Sequence, residues 1–115
     1  MRKIEQNMNR ALVNKNNWSG SNTTVRYNEN TNCSEVLLHG HQIAVYDHNT
    51  QAIKLDSCGY ETVTTKSRLN ALLDEVMYGA KVYQRDWTWY VSYKKSTASF
   101  FDGIVLFNED QLAVA

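Results

Sequence analysis

The side chains best suited to chemistry lie in one short segment, residues 60–68. They are Tyr60, Thr62, Thr64, Thr65, Lys66, Ser67 and Arg68. Hydroxyl, ammonium and guanidinium groups all donate hydrogen bonds, and a guanidinium can hold an oxyanion through two parallel bonds. The segment therefore predicts a binding site for a phosphate or a carboxylate.

A helix should position these groups. Leucine, valine and methionine recur at positions 69, 72, 73, 76 and 77, which is the spacing of one apolar helical stripe. We expect a helix over about residues 65–78, capped by Thr64 or Thr65 and ended by Gly79. Its unpartnered N–H groups favour an anion at the N-terminus.

A competing interpretation assigns these side chains no ligand. In that case the threonines only cap the helix, Lys66 is solvated, and Arg68 pairs with Glu61 or Glu75. If instead the segment binds an anion, replacement of Lys66 or Arg68 should weaken binding and leave folding almost unchanged. The pattern is not a nucleotide-hydrolysing phosphate loop, because the GxxxxGK[ST] motif is absent.

The remaining elements surround this helix. Ile4, Met8, Ala11 and Leu12 predict a first helix over residues 3–14. Alternating apolar residues predict strands near residues 23–27, 35–39, 42–47, 51–56, 81–84, 87–93 and 100–107, the last with a turn or bulge at Gly103. Val45 should face the same side as Ile43, and Trp18 should cover the core from a loop at 18–22. A second loop is predicted at 94–97.

These elements predict an α+β fold in one domain, residues 1–115. An antiparallel sheet of about six or seven strands should carry an N-terminal and a central helix. Trp87, Trp89, Val91 and Tyr93 should share one strand face, either as core under the central helix or as a platform for single-stranded nucleic acid. Core packing is favoured for that face, so Tyr60, Tyr83 and Tyr90 are the better candidates for partly exposed contacts.

The histidines provide the other possible chemistry. His39, His41 and His48 could be joined by Asp47 and Cys58, but neither HExxH nor paired CxxC spacing occurs. No GxSxG signature is present, and Cys58 fits a small buried side chain better than a nucleophile. We therefore predict no metal and no cofactor, and favour binding over catalysis while leaving an enzyme open.

Composition narrows the classes of function. Twelve basic and twelve acidic residues give a net charge of zero, so neither a general nucleic-acid coat nor an acidic DNA mimic is predicted. Hydrophobic residues make up 43% of the chain, which favours a folded domain over disorder. No apolar run is long enough to cross a membrane, and no signal peptide is expected.

Four segments carry a resemblance to a family. They are NW at residues 17–18, NTTV at 22–25, LHGHQIA at 38–44 and GYETVTTKSRLNAL at 59–72. In this order they resemble small uncharacterised proteins of tailed bacteriophages. The resemblance implies a viral origin and a place in the cytoplasm of the infected bacterial host. It transfers no catalytic residue.

Three hypotheses follow. The first is a non-enzymatic accessory protein that binds a phosphate-bearing ligand, either a nucleotide signal or a nucleic-acid backbone, and so counteracts host defence. The second is an interaction factor that docks on a host or viral protein. The third is a small metal-dependent hydrolase or nuclease. The oligomeric state stays open, a homo-oligomer included.

Overall fold

The computed structural model describes residues 1–108, and within them it confirms the predicted α+β class. Two helices and nine strands occur in these residues, more strands than the six or seven expected. In chain order they are α1 (Lys3–Val13), β1 (Trp18–Gly20), β2 (Thr23–Asn28), β3 (Cys33–Leu38), β4 (His41–Asp47), β5 (Ile53–Leu55), α2 (Val63–Val76), β6 (Lys81–Arg85), β7 (Thr88–Tyr93), β8 (Ser96–Ser99) and β9 (Ile104–Leu106).

The strands form two antiparallel sheets. The larger has the order β1-β2-β3-β4-β5-β9, and the smaller has the order β6-β7-β8. Strand β9 follows the strands of the smaller sheet in the chain, but it pairs with β5 of the larger sheet, with Ile104 opposite Leu55. The last strand of the described chain is therefore an edge strand of the larger sheet and does not extend the smaller one.

Two strands lie where loops were predicted. Strand β1 pairs with β2, and β8 pairs with β7 as an exposed edge strand. Trp18 packs against the core from β1, which confirms its covering role. A Cβ added at Gly20 would lie 2.6 Å from the Trp18 ring, so only glycine leaves room for the ring at this position.

A bulge in the β3–β4 pairing interrupts the alternation of side chains that was predicted for β4. Val36 is paired with Ala44 and Leu37 with Gln42, which leaves Ile43 as the extra residue. Ile43 and Ala44 are both buried, whereas Val45 is only partly buried. Val45 pairs with Glu35 and so does not share the buried face with Ile43 as the sequence suggested.

The helices cover the core as expected. Met8, Ala11 and Leu12 of α1 are buried, and α2 contributes Leu69, Leu72 and Leu73, each 0% exposed. These side chains pack in one apolar cluster with inward residues of both sheets. The stripe read from the sequence is therefore the contact face of α2.

The aromatic strand is divided by a turn. Trp89 and Val91 lie in the core, and Trp89 meets Phe100 edge to face. Trp87 was expected on the same strand face, but it occupies the β6–β7 turn and is 92% exposed. Asp86 and Trp87 both have positive φ angles, 51° and 66°, as a two-residue type I′ turn requires. The tight turn removes Trp87 from the strand.

Within the described residues, neither helix is long and apolar enough to cross a bilayer.

Candidate functional site

The N-terminus of α2 begins two residues earlier than predicted. Thr62 is the cap, because its Oγ1 accepts a hydrogen bond of 3.1 Å from the Thr65 N–H. The Thr62 carbonyl accepts from the Lys66 N–H at 3.0 Å. Thr64 and Thr65 therefore lie inside the first turn, and the prediction that one of them caps the helix is wrong.

Two backbone donors remain at this helix end. Among residues 1–108, no hydrogen bond is formed by the N–H groups of Val63 and Thr64. The first N–H groups of a helix point along its axis and carry its positive partial charge. This end of α2 can therefore accept an anion without displacing an existing bond.

A cleft opens onto the same helix end. Its volume is about 420 Å³, within the range of small-molecule sites. Four of its lining residues were predicted from the sequence: Tyr60, Thr62, Thr64 and Thr65. Five were not: Leu38, His39, His41, Ile43 and Ser57. The cleft thus joins hydroxyl groups, imidazoles and apolar side chains.

The β3–β4 turn supplies the imidazoles. His39 and Gly40 have positive φ angles of 51° and 79°, which is the geometry of a tight type I′ hairpin. The turn places His41 beside Tyr60, with ring centroids 5.1 Å apart and planes tilted by 39°. The sequence indicated the turn, but no local pattern indicated that it would face α2.

Ser67 and Arg68 do not line this cleft. The Ser67 hydroxyl donates to Glu5 Oε2 at 2.6 Å, and Arg68 Nη1 donates to the same oxygen at 2.8 Å. Arg68 and Glu5 are both 3% exposed. Arg68 therefore joins α2 to α1 inside the protein, and it does not present its guanidinium to a ligand at the helix end.

The other two nitrogens of the Arg68 guanidinium also donate hydrogen bonds. Nε donates to Thr23 Oγ1 at 3.0 Å and Nη2 to Asn22 Oδ1 at 3.2 Å. The ion-pair partner is Glu5, not Glu61 or Glu75 as the competing interpretation held. One feature of the sequence could have indicated that Arg68 is buried. Arg68 follows Thr65 by three residues and precedes Leu72 by four, so the three share the buried side of the helix.

Lys66 has an intermediate position. Its side chain is partly buried, and it is not among the residues that line the cleft. A helix turns by about 100° per residue, so Lys66 and Thr64 project to nearly opposite sides of α2. Of the predicted cations, only Lys66 is near the first turn without an internal ion pair among the described residues.

The three histidines are not one cluster. His48 Nε2 lies 2.7 Å from the Ser34 hydroxyl, and its ring contacts Tyr27 and Tyr46 edge to face. Burial, and then the positive charge of Lys15, lower the pKa of His48, while Asp47 opposes them. No group of three or more histidine, cysteine, aspartate or glutamate side chains in residues 1–108 is arranged to hold a metal ion.

Cys58 is unsuited to nucleophilic attack at neutral pH. Its Sγ donates to the Gln42 carbonyl at 3.1 Å. Burial raises the pKa of the Cys58 thiol to about 11, and Asp56 and Asp102 add to the effect. Because the thiolate is the reactive form, this thiol is almost entirely unreactive near pH 7.

We expect protein purified without added metal to contain less than one zinc per chain. The reason is the separation of His48 from His39 and His41, since stable zinc sites need three or four ligands. Elemental analysis of the full chain checks this. One zinc per chain that is lost in both His39→Ala and His41→Ala would contradict the prediction and favour the hydrolase hypothesis.

Comparison with family models gives the origin of the chain. The model of the Kyanoviridae Gp96 protein matches residues 1–107. The chain belongs to this family. This membership supports the resemblance to phage proteins noted from the sequence. Comparisons with curated proteins and with solved structures found no significant match.

Proposed function

We propose that this Gp96-family protein is a non-enzymatic phage accessory protein that binds a phosphate-bearing small molecule in the α2 cleft. The observation that carries the proposal is the opening of a 420 Å³ cleft onto the first turn of α2. Thr64 lines the cleft, and neither its N–H nor that of Val63 beside it forms a hydrogen bond among residues 1–108. The block at residues 59–72, which suggested the phage resemblance, supplies most of the polar side of this cleft.

The phosphate would lie against the first turn of α2. Its oxygens would accept from the two N–H groups and from the Thr64 hydroxyl, with the helix dipole favouring the negative charge. Thr62 and Thr65 hold the turn in shape, because their hydroxyl oxygens lie 3.0 Å apart and Thr62 caps the helix. The ligand therefore meets donors that are already oriented, which lowers the cost of binding.

The rest of the ligand would occupy the other side of the cleft. Tyr60 is 55% exposed and stands beside His41, while Leu38 and Ile43 supply apolar surface. A flat heterocycle can stack on a tyrosine or histidine ring. A nucleotide combines such a ring with a phosphate, so it matches both halves of the cleft better than inorganic phosphate does.

The family supports a role in infection. We propose that the ligand is a nucleotide signal of host defence, that the protein sequesters it, and that it acts in the cytoplasm of the infected bacterium. Membership in a phage family supports the setting. Mass spectrometry of small molecules released from purified, heat-denatured protein would identify a ligand retained from the cell.

Removal of one helix N–H should weaken binding. Val63 is the first residue of α2 and is 71% exposed, and Thr62 before it is extended, with φ −104° and ψ 165°. Proline is accepted at such a position, so Val63→Pro deletes the donor without breaking the helix. We expect a loss of about 1.5–3 kcal/mol in binding free energy, the usual value for a hydrogen bond to a charged group.

Val63→Ala is the matched control, because it shortens the same side chain and keeps the N–H. Calorimetry and thermal shift with mononucleotides, cyclic oligonucleotides and adenosine-ribose compounds would measure both variants. Lys66→Ala should weaken binding less than Val63→Pro, because Lys66 projects to nearly the opposite side of α2 from Thr64, which lines the cleft. If no phosphate compound binds the wild type, or if Val63→Pro binds as tightly as Val63→Ala, the proposal fails.

A docking role is the second candidate, and Trp87 favours it. Trp87 is 92% exposed and lies in a turn at positive φ. A large aromatic side chain is normally buried, and positive φ is unfavourable for it, so both features cost folding free energy. Residues in such conformations concentrate at contact sites. Trp87→Gly would relieve the backbone strain of the turn and remove the ring. Binding of a host or viral protein that docks there should then be lost, while the protein itself stays folded.

A further inference from the structure

A second surface lies on the outer face of the smaller sheet, on the opposite side of its strands from the core. The register of β6 and β7 places Lys81, Tyr83, Arg85, Thr88, Tyr90 and Ser92 on this face. Strand β8 adds Thr97 and Ser99. Val82, Trp89 and Val91 alternate with these residues and are buried on the other side. We call this surface the outer β6–β8 face.

Two tyrosines form the centre of the outer β6–β8 face. Tyr83 and Tyr90 are direct cross-strand partners, with ring centroids 5.7 Å apart and planes at 25°. Both are partly exposed. The next residue across the sheet from Tyr90 is Ser99, whose small side chain leaves room for another flat ring beside Tyr90.

The formal charges on this face are all positive. Lys81 and Arg85 are exposed and lie on either side of Tyr83, about 13 Å apart along the strand. The β7–β8 turn places Lys95 at the Lys81 end, whereas the Lys94 ammonium lies over the ring of Tyr93, which packs on the core side of the sheet. The chain as a whole has no net charge, so this grouping is a local feature and not a consequence of composition.

Two carboxylates lie at the margins of this face. Asp86 in the β6–β7 turn lies 4.0 Å from Arg85, but both side chains are largely exposed, and such pairs contribute little. Asp74 of α2 lines a surface groove that also reaches Lys81. Neither residue belongs to the strands of the outer β6–β8 face, so the platform around the tyrosines carries no negative side chain.

We propose that the outer β6–β8 face binds single-stranded nucleic acid. Bases would stack on Tyr83 and Tyr90, while Lys81, Arg85 and the β7–β8 turn attract the backbone phosphates. Aromatic rings on a sheet with flanking cations are the arrangement by which single strands are held without reading sequence. This site is separate from the α2 cleft, so it does not depend on the small-molecule proposal.

Fluorescence anisotropy of the full chain with labelled oligothymidine tests the proposal. We expect binding to a single strand and much weaker binding to a duplex of equal length. Tyr83→Ala and Tyr90→Ala should each weaken binding roughly 5- to 150-fold, as loss of one stacked base does. Tyr83→Phe and Tyr90→Phe keep the rings and should retain most of the affinity.

The salt dependence of binding distinguishes a lost contact to a nucleic-acid phosphate from unfolding of the variant. Each phosphate contact contributes about 0.7 to the slope of log affinity against log salt for a single strand. Lys81→Ala and Arg85→Ala should each lower that slope by about this amount. Lys54→Ala, which replaces an exposed lysine on β5, is the control and should change neither affinity nor slope.

Three outcomes would overturn the proposal. The first is no binding of oligothymidine at low salt. The second is equal affinity for single strand and duplex, which would indicate only general electrostatic attraction. The third is unchanged affinity in both tyrosine-to-alanine variants while their unfolding curves match the wild type. Loss of binding in Tyr60→Ala alone would instead assign the nucleic acid to the α2 cleft.

Discussion

Replacing Arg68 with alanine should lower the free energy of unfolding by about 3–5 kcal/mol, as expected when one partner of a buried ion pair is removed. The Arg68 and Glu5 side chains are only 4% exposed each, and they are 2.8 Å apart. Without the guanidinium, Glu5 would keep the Ser67 hydroxyl as its partner but would remain a buried, uncompensated charge. Urea denaturation followed by circular dichroism measures the change.

Lys66→Ala is the control for this prediction. It removes a cation two residues earlier on the same helix, at a partly buried position without an ion pair among the described residues. Its effect should stay within about 0.5 kcal/mol, as for other substitutions of this kind. An Arg68→Ala effect of the same small size would show that the ion pair is not formed in solution.

A double replacement distinguishes pairing from packing. Glu5→Leu combined with Arg68→Met removes both charges and keeps most of the volume. Such exchanges of buried pairs are often neutral or stabilising, so the double variant should be more stable than Arg68→Ala. The coupling between the two positions follows from a cycle with the single variants. Independent, additive effects would argue against a direct interaction.

Leu72→Ala and Leu73→Ala should each lower the free energy of unfolding by about 2–5 kcal/mol, the range for truncating a buried leucine. Both side chains are 0% exposed and lie in the cluster between α2 and the sheets. Leu69→Ala should behave alike. Val76→Ala should cost less, because Val76 is only partly buried and a smaller group is removed.

Glu75→Ala is the matched control on the same helix. Glu75 is exposed, and alanine has the higher helix propensity, so stability should change by no more than about 0.5 kcal/mol. Denaturant melts of all five variants give the comparison. If the four apolar positions also cost less than about 0.5 kcal/mol, α2 does not pack on the core as described.

Local patterns in the sequence were enough to predict both helices, most of the strands and about half of the residues that line the α2 cleft. A period of 3.6 residues located both helices, because one stripe of each must be apolar to bury against the sheets. The cluster of hydroxyl residues at 60–65 marked the helix end that lines the cleft. These features depend on residues that are only a few positions apart, and a sequence pattern can reveal interactions over that range.

The tertiary structure decided the contacts between distant segments. Arg68 is turned inward by Glu5, 63 residues earlier, and by Thr23, 45 residues earlier. The cleft needs the β3–β4 turn opposite α2, and the outer β6–β8 face needs β8 beside β7. A cation at a helix start looks the same in sequence whether it faces solvent or a buried carboxylate. Only the packing of α1 on α2 removes water from Arg68 and gives it a fixed partner, and that converts an apparent ligand residue into part of the core.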